Sequence, residues 1–180
     1  MPLLLARHGE TPDNEHGRIV GRRDPPLSEA GREQARRLAA SLGTAVVAMW
    51  CSPLLRARQT AEIVADAIGV APTVLDDLIE SDRGSWEGQT FDDITAVTPE
   101  LFEAFEAAAD GFAFPGGESL AHQVERTRRA LTMVAAGPTP ALVVAHAGTI
   151  RAAMIAVGHQ PPPERALGHG EAVTLSWPAD

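Results

Sequence analysis

The chain has 180 residues, 44% of them hydrophobic, and a formal net charge of -9. That length supports one full core, so a single domain over 1–180 is expected, and the acidic balance excludes a broad nucleic-acid face, which needs a net basic surface. All 15 basic residues are arginine, which rules out a Walker-type phosphate loop, a Schiff base and a lysine nucleophile.

Four short apolar runs read as strands buried on both faces: Leu3–Ala6, Val46–Cys51, Ala141–Ala145 and Val173–Trp177. Helical patterns lie between them. Ser28 is placed to cap a helix with Ala35, Leu38, Ala39 and Leu42 inward and Gly43 as its stop. A second follows Pro53, with Ala57, Ala61, Val64, Ala65 and Ile68 on one stripe and Gly69 after it. Thr98-Pro99 starts a helix to about Ala109. Ser119 opens another with Leu120, Val124, Leu131 and Val134 inward, stopped at Gly137-Pro138, and a last one runs from Gly148 to Val157. This alternation predicts a three-layer α/β/α sandwich with a mostly parallel central sheet. The stretch 159–170 reads as a surface loop, and 84–118, rich in Phe and Trp, as a helical segment covering the substrate or as plain core.

In such folds the site lies beyond the carboxyl ends of the strands. His8 follows the first strand, His146 the third, and Arg56 starts the helix after the second. Arg7 and Arg56 offer two planar forks that bind phosphate oxygens bidentately and keep their charge. Backbone N–H groups near Gly148 add a helix N-terminus. Two guanidiniums beside His8 should lower its pKa and keep a ring nitrogen free to attack phosphorus. His146 then donates to the developing charge. Glu80, just past Leu78-Ile79, is the proton donor to the leaving oxygen, and its pKa should be raised by the phosphate beside it. Arg22 and Arg23 are placed to grip an anionic tail, Arg83 likewise, each with a plain solvated alternative.

The blocks "LLARHGET", "CSPLLRARQTAE", "IESDRGSWEG", "FPGGES" and "VVAHAGTIRA" stand in order over residues 3 to about 153. Together they resemble the histidine phosphatase superfamily, the phosphoglycerate mutase-like proteins. The resemblance implies that His8 is the phosphate-accepting nucleophile, that Arg7, Arg56 and His146 form its phosphate pocket, and that Glu80 is the proton donor. Asn14 matches an asparagine that touches the phosphoryl group, with Gly21 and Ala147 as further substrate contacts. It implies a phosphohistidine intermediate with no metal and no cofactor. Ala147 departs from the family's usual Gly and Cys51 from its usual Ser or Thr.

The expected activity is hydrolysis of a small phosphomonoester, since a mutase of this family carries longer segments over the site. The alternatives are a phosphoglycerate mutase-type transferase and a phosphohistidine-protein phosphatase or relay. A tyrosine-phosphatase-type site needs Cys and Arg with five residues between them, but Cys51 encloses four with Arg56 and six with Arg58. No H-E-x-x-H or His-Asp cluster has metal-ligand spacing. A lone cysteine suits a reducing cytoplasm, and the apolar start is too short for a signal peptide or membrane span. A monomer or homodimer without nucleic-acid or membrane partner is expected. His16, His122, His159 and His169 read as surface or loop residues, Arg151 as packing or surface, and Glu118-Ser119 as a helix start.

Overall fold

The computed structural model describes residues 1–42 and 46–178. These form a five-stranded sheet of order β3-β2-β4-β1-β5. The strands are β1 (Pro2–Arg7), β2 (Ala48–Cys51), β3 (Pro72–Val74), β4 (Ala141–Ala145) and β5 (Ala172–Ser176). The pairs β1–β4, β2–β4 and β2–β3 are parallel, and β5 alone runs antiparallel, against β1. Seven α-helices accompany them among the described residues: α1 (Pro12–Glu15), α2 (Glu29–Leu42), α3 (Leu55–Ile68), α4 (Phe91–Val97), α5 (Pro99–Glu106), α6 (Leu120–Ala135) and α7 (Ala147–Ala156).

Side-chain alternation along the central strands separates two cores. Leu3, Leu5, Ala141 and Val143 point to one face and pack on Leu131 and Val134 of α6 and Ile150 and Ala153 of α7. Ala6, Leu142 and Val144 point to the other and pack on Leu38 of α2 and Ala57, Ala61 and Val64 of α3. Each large side chain buried this way contributes on the order of 1.5–3 kcal/mol. The result is the expected three-layer sandwich. A third cluster, with Ile19, Trp86, Ile94, Phe105, Phe112 and Phe114, forms a separate core under the 84–118 segment.

Several elements differ from the sequence reading. β3 is three residues long and begins on Pro72, which suits an edge strand that pairs on one side only; it is too short to show a pattern. α4 starts at Thr90, whose side chain forms a capping box with Asp93, but its seven residues hold less than two full periods. β5 is not buried on both faces: Leu175 is buried and its neighbours are not, because the strand closes the sheet edge. The proposed stop at Gly43 lies outside the described residues. No helix among the described residues is long and apolar enough to cross a membrane.

Candidate active site

The ladder of the sheet continues one step past its strands. His8 donates its backbone N–H to Ala145 O at 3.0 Å, and Ser52 donates to Val144 O at 3.0 Å. Three chain segments are thereby held side by side at the carboxyl edge, and the rings of His8 and His146 lie 5.1 Å apart. Arg56, in the first turn of α3 and 1% exposed, aims its Nε at His8 Nε2 from 3.1 Å.

One hydrogen bond assigns the imidazole proton of His8. His8 Nδ1 lies 2.6 Å from Gly9 O. A carbonyl only accepts, so Nδ1 carries the hydrogen and Nε2 presents its lone pair. His146 Nε2 lies 2.7 Å from Ser52 Oγ. Ser52 Oγ also accepts from Leu54 N, and the buried Nδ1 of His146 has no partner among the described residues. Both rings are held neutral, with pKa values well below 6.5. Burial is the largest cause for each, Arg56 the next, and Arg7 also acts on both.

His8, Arg7, Asn14, Gly21, Arg56, Glu80 and Ala147 line one small cavity of about 50 Å³. Arg7 is tied by Nη1 to Leu167 O, and its buried Nε has no partner among the described residues. Asn14 gives its Oδ1 to the Thr11 cap, where it accepts from Thr11 N and Oγ1. Ala147 opens α7 without a positive φ, so the departure from glycine is accommodated. A second cavity of about 450 Å³ adjoins the first. The two share Arg7, Asn14, Arg18, Phe91 and Glu164.

Two expectations about charge change here. Arg56 does not hold out both Nη groups. Nη1 donates to Arg23 O and Nη2 to Gly21 O, each at 2.7 Å, so the 21–23 loop braces the guanidinium and leaves Nε toward His8. Glu80 is not raised by the protein's own field. It is 5% exposed, and burial pushes its pKa up, but Arg83, the Ser81 N–H and Arg56 together pull it well below the ordinary carboxylate range. Its Oε1 accepts from Ser81 N at 2.8 Å and Gln123 Nε2 at 3.2 Å. Its Oε2 accepts the Gly148 N–H at 3.1 Å, so that helix N–H serves the carboxylate. A Cβ on Gly148 would stand 2.4 Å from Glu80 Oε1; only glycine permits this approach.

These motifs, in this geometry, match one known group: the profile described as "Histidine phosphatase superfamily (branch 1)" covers residues 3–177. The chain belongs to the histidine phosphatase superfamily. Among its relatives in that superfamily, the phosphoglycerate mutase from Thermus thermophilus has a crystal structure that superposes with a TM-score of 0.77 at 38% identity, over 99% of this chain and 94% of that one. The Mycobacterium tuberculosis bifunctional protein Rv2228c is 38% identical over 83% of this chain and 42% of its own. Phosphoserine phosphatase 1 of Hydrogenobacter thermophilus is 36% identical over 70% of this chain and 60% of its own. The match thus spans less than two thirds of either curated relative.

Other residues fall into place around the superfamily core. Arg22 lies 3.6 Å from Glu118 and Arg23 3.4 Å from Asp13, so both side chains pair on the protein. Cys51 is buried, and burial pushes its thiol up to about 11, the opposite of a thiolate nucleophile. Arg151 is buried over the Phe105 ring, a packing position. Sequence reasoning missed Arg126 and misplaced His169 and Arg83. His169 lies with its ring 5.7 Å from that of His8, delivered by the 159–170 loop, which lacks any local pattern. Arg83 is fully buried beside Glu80. Arg126 of α6 holds both oxygens of buried Glu118 at 2.8 Å and donates to the carbonyls of Asp77 and Ile79. It thereby anchors the segment that carries Glu80. Removing one partner of a buried pair typically costs about 3–5 kcal/mol, so Arg126→Met is expected to lower unfolding free energy by about that amount in urea titrations. A loss under about 1 kcal/mol would contradict the anchoring role.

Proposed function

We propose that the protein is a metal-independent phosphomonoesterase that works through a phosphohistidine on His8, with Glu80 as proton donor. One observation carries this reading: His8 is a neutral imidazole with its Nε2 lone pair directed toward a guanidinium nitrogen inside a small polar cavity. A neutral nucleophile in a cationic cradle suits attack on an anionic phosphorus centre.

Arg7 Nε, His146 through Nδ1 in the tautomer that carries its hydrogen there, the amide of Asn14 and the backbone N–H of Ala147 receive the phosphoryl oxygens. His8 Nε2 forms a bond to phosphorus as the ester oxygen leaves. The leaving oxygen takes a proton from Glu80, whose pKa rises when the phosphoryl charge arrives beside it. Glu80, now a carboxylate, accepts a proton from water; the hydroxide attacks phosphorus and frees His8 and inorganic phosphate. Hydrolysis is supported over transfer because the small cavity shares five lining residues with the 450 Å³ outer cavity, which has room for water beside the alcohol part of the ester.

The test is a screen of phosphomonoesters that includes phosphoserine and phosphoglycerate, the compounds in the relatives' names, each with and without EDTA. Phosphate release unaffected by chelator is expected. Isomerisation of phosphoglycerate faster than phosphate release would replace this reading with the mutase one.

A further inference from the structure

We propose that buried Arg83 and partly buried Glu164 form a pair that positions Glu80 and decides over which pH range it gives up its proton. The proposal rests on the reading of Glu80 as proton donor. Arg83 is 1% exposed. Its guanidinium lies over the rings of Phe114, at 4.6 Å, and Phe105, at 5.3 Å, and its Nε and Nη1 are buried with no hydrogen-bond partner among the described residues. One nitrogen, Nη2, meets carboxylates. It stands 2.7 Å from Glu164 Oε2 and 3.5 Å from Glu80 Oε2.

A single guanidinium nitrogen is therefore shared by two acids. The second acid comes from the 159–170 loop, 81 residues away in sequence. Arg151 Nη1 stands 3.9 Å from Glu164, and Arg7, which lines the same cavities, also feels its charge. Around Glu80 itself stand Arg83, His146, Arg56 and Arg7 as charged or titratable groups, with Ser81 N, Gln123 of α6 and Gly148 N of α7 as hydrogen-bond donors.

A residue that must first give a proton and then take one fails at either extreme. Burial alone would keep Glu80 protonated, and an undivided guanidinium contact would keep it ionised. Glu164 draws Arg83 to itself by the shorter contact and so limits its hold on Glu80. A substitution of either partner should then move the proton-donating range in opposite directions. Loss of Arg83 leaves a buried carboxyl that keeps its proton to higher pH. Loss of the Glu164 charge gives Arg83 wholly to Glu80, which then loses its proton at lower pH.

The experiment measures kcat against pH for Arg83→Met, Glu164→Gln and the parent chain. Two substrates are used: glycerol 2-phosphate, whose alkoxide needs a proton to leave, and 4-nitrophenyl phosphate, whose phenolate does not. For the alkyl ester the alkaline limb should rise by about 1–3 pH units in Arg83→Met and fall in Glu164→Gln. The alkaline limb for the aryl ester should stay in place. Loss of kcat at every pH with the limbs fixed, or shifts of the same sign in both variants, would overturn the proposal. If Arg83→Met does not fold, the downward shift in Glu164→Gln decides alone. Glu80→Gln separates the two layers. A greater loss on the alkyl than on the aryl ester supports the proton donor, and fixed limbs then reject only the Arg83–Glu164 pair. Equal loss on both esters in the single-turnover rate of alcohol release, which precedes the phosphohistidine hydrolysis that Glu80 also assists, rejects the donor and the pair together.

Discussion

Replacing His8 with alanine is expected to lower phosphomonoester turnover by a factor on the order of 10⁴–10⁶, the scale of losing a covalent nucleophile. Nothing nearby can take its place. His146 is fully buried with its Nε2 engaged with Ser52 Oγ, and it does not line the inner cavity. The Cys51 thiol is buried and held protonated to about 11. His169 stands 5.7 Å from the His8 ring and lines the outer cavity rather than the inner one. Arg7, Arg56 and Asn14 remain in the variant, so a substrate analogue such as vanadate should still bind while turnover is gone. Rapid acid-free quenching after mixing with labelled ester should trap label on the parent chain and none on His8→Ala. Retention of even a tenth of the parent rate would remove His8 as nucleophile.

The parts of this site that the sequence announced are those carried by local grammar. "LLLARH" ends an apolar strand on a reactive pair, and "VVAHAG" does the same on the neighbouring strand. The ladder bonds from His8 to Ala145 and from Ser52 to Val144 then force the juxtaposition. Helices with long stripes, α2, α3 and α6, could be read for the same reason: 14 to 16 residues give a periodic face time to show. Illegible were features that depend on a distant partner. Arg83 reads from sequence as a grip for an anionic tail or as a solvated charge, and Glu164, Phe105 and Phe114 enclose it instead. The bracing of Arg56 depends on carbonyls 33 and 35 residues away, and carbonyls have no letter in the sequence. The effect of phosphate charge on Glu80 can be argued from sequence; the buried guanidinium that lowers its pKa in the free protein cannot.

The same neutral histidines that suit phosphoryl transfer should make the fold sensitive to acid. His8, His146 and His169 are all held below their ordinary value of 6.5, chiefly by burial and then by arginines, His169 to about 3. Above pH 6.5 all three rings are neutral in folded and unfolded chain alike, and this linkage contributes nothing. Below it the unfolded chain takes up protons that the folded one refuses, so stability falls with pH. Each histidine adds a slope of about 1.4 kcal/mol per pH unit, and three together reach about 4. Between pH 7 and pH 5.5 a loss of about 3–4 kcal/mol is expected by urea unfolding, a large share of the 5–15 kcal/mol typical of a domain. Glu80 and Glu118, whose folded pKa values are depressed, add to the loss only below about pH 4.5, where the unfolded carboxyls protonate. His8→Ala should flatten the pH 7 to 5.5 slope by about a third while abolishing turnover. That single variant separates the two consequences of one buried ring: the chemistry needs it uncharged, and its refusal of a proton weakens the fold in acid. A stability that stays level from pH 7 to 5.5 would show that these imidazoles are protonated in the folded chain, and with that the neutral nucleophile would be lost.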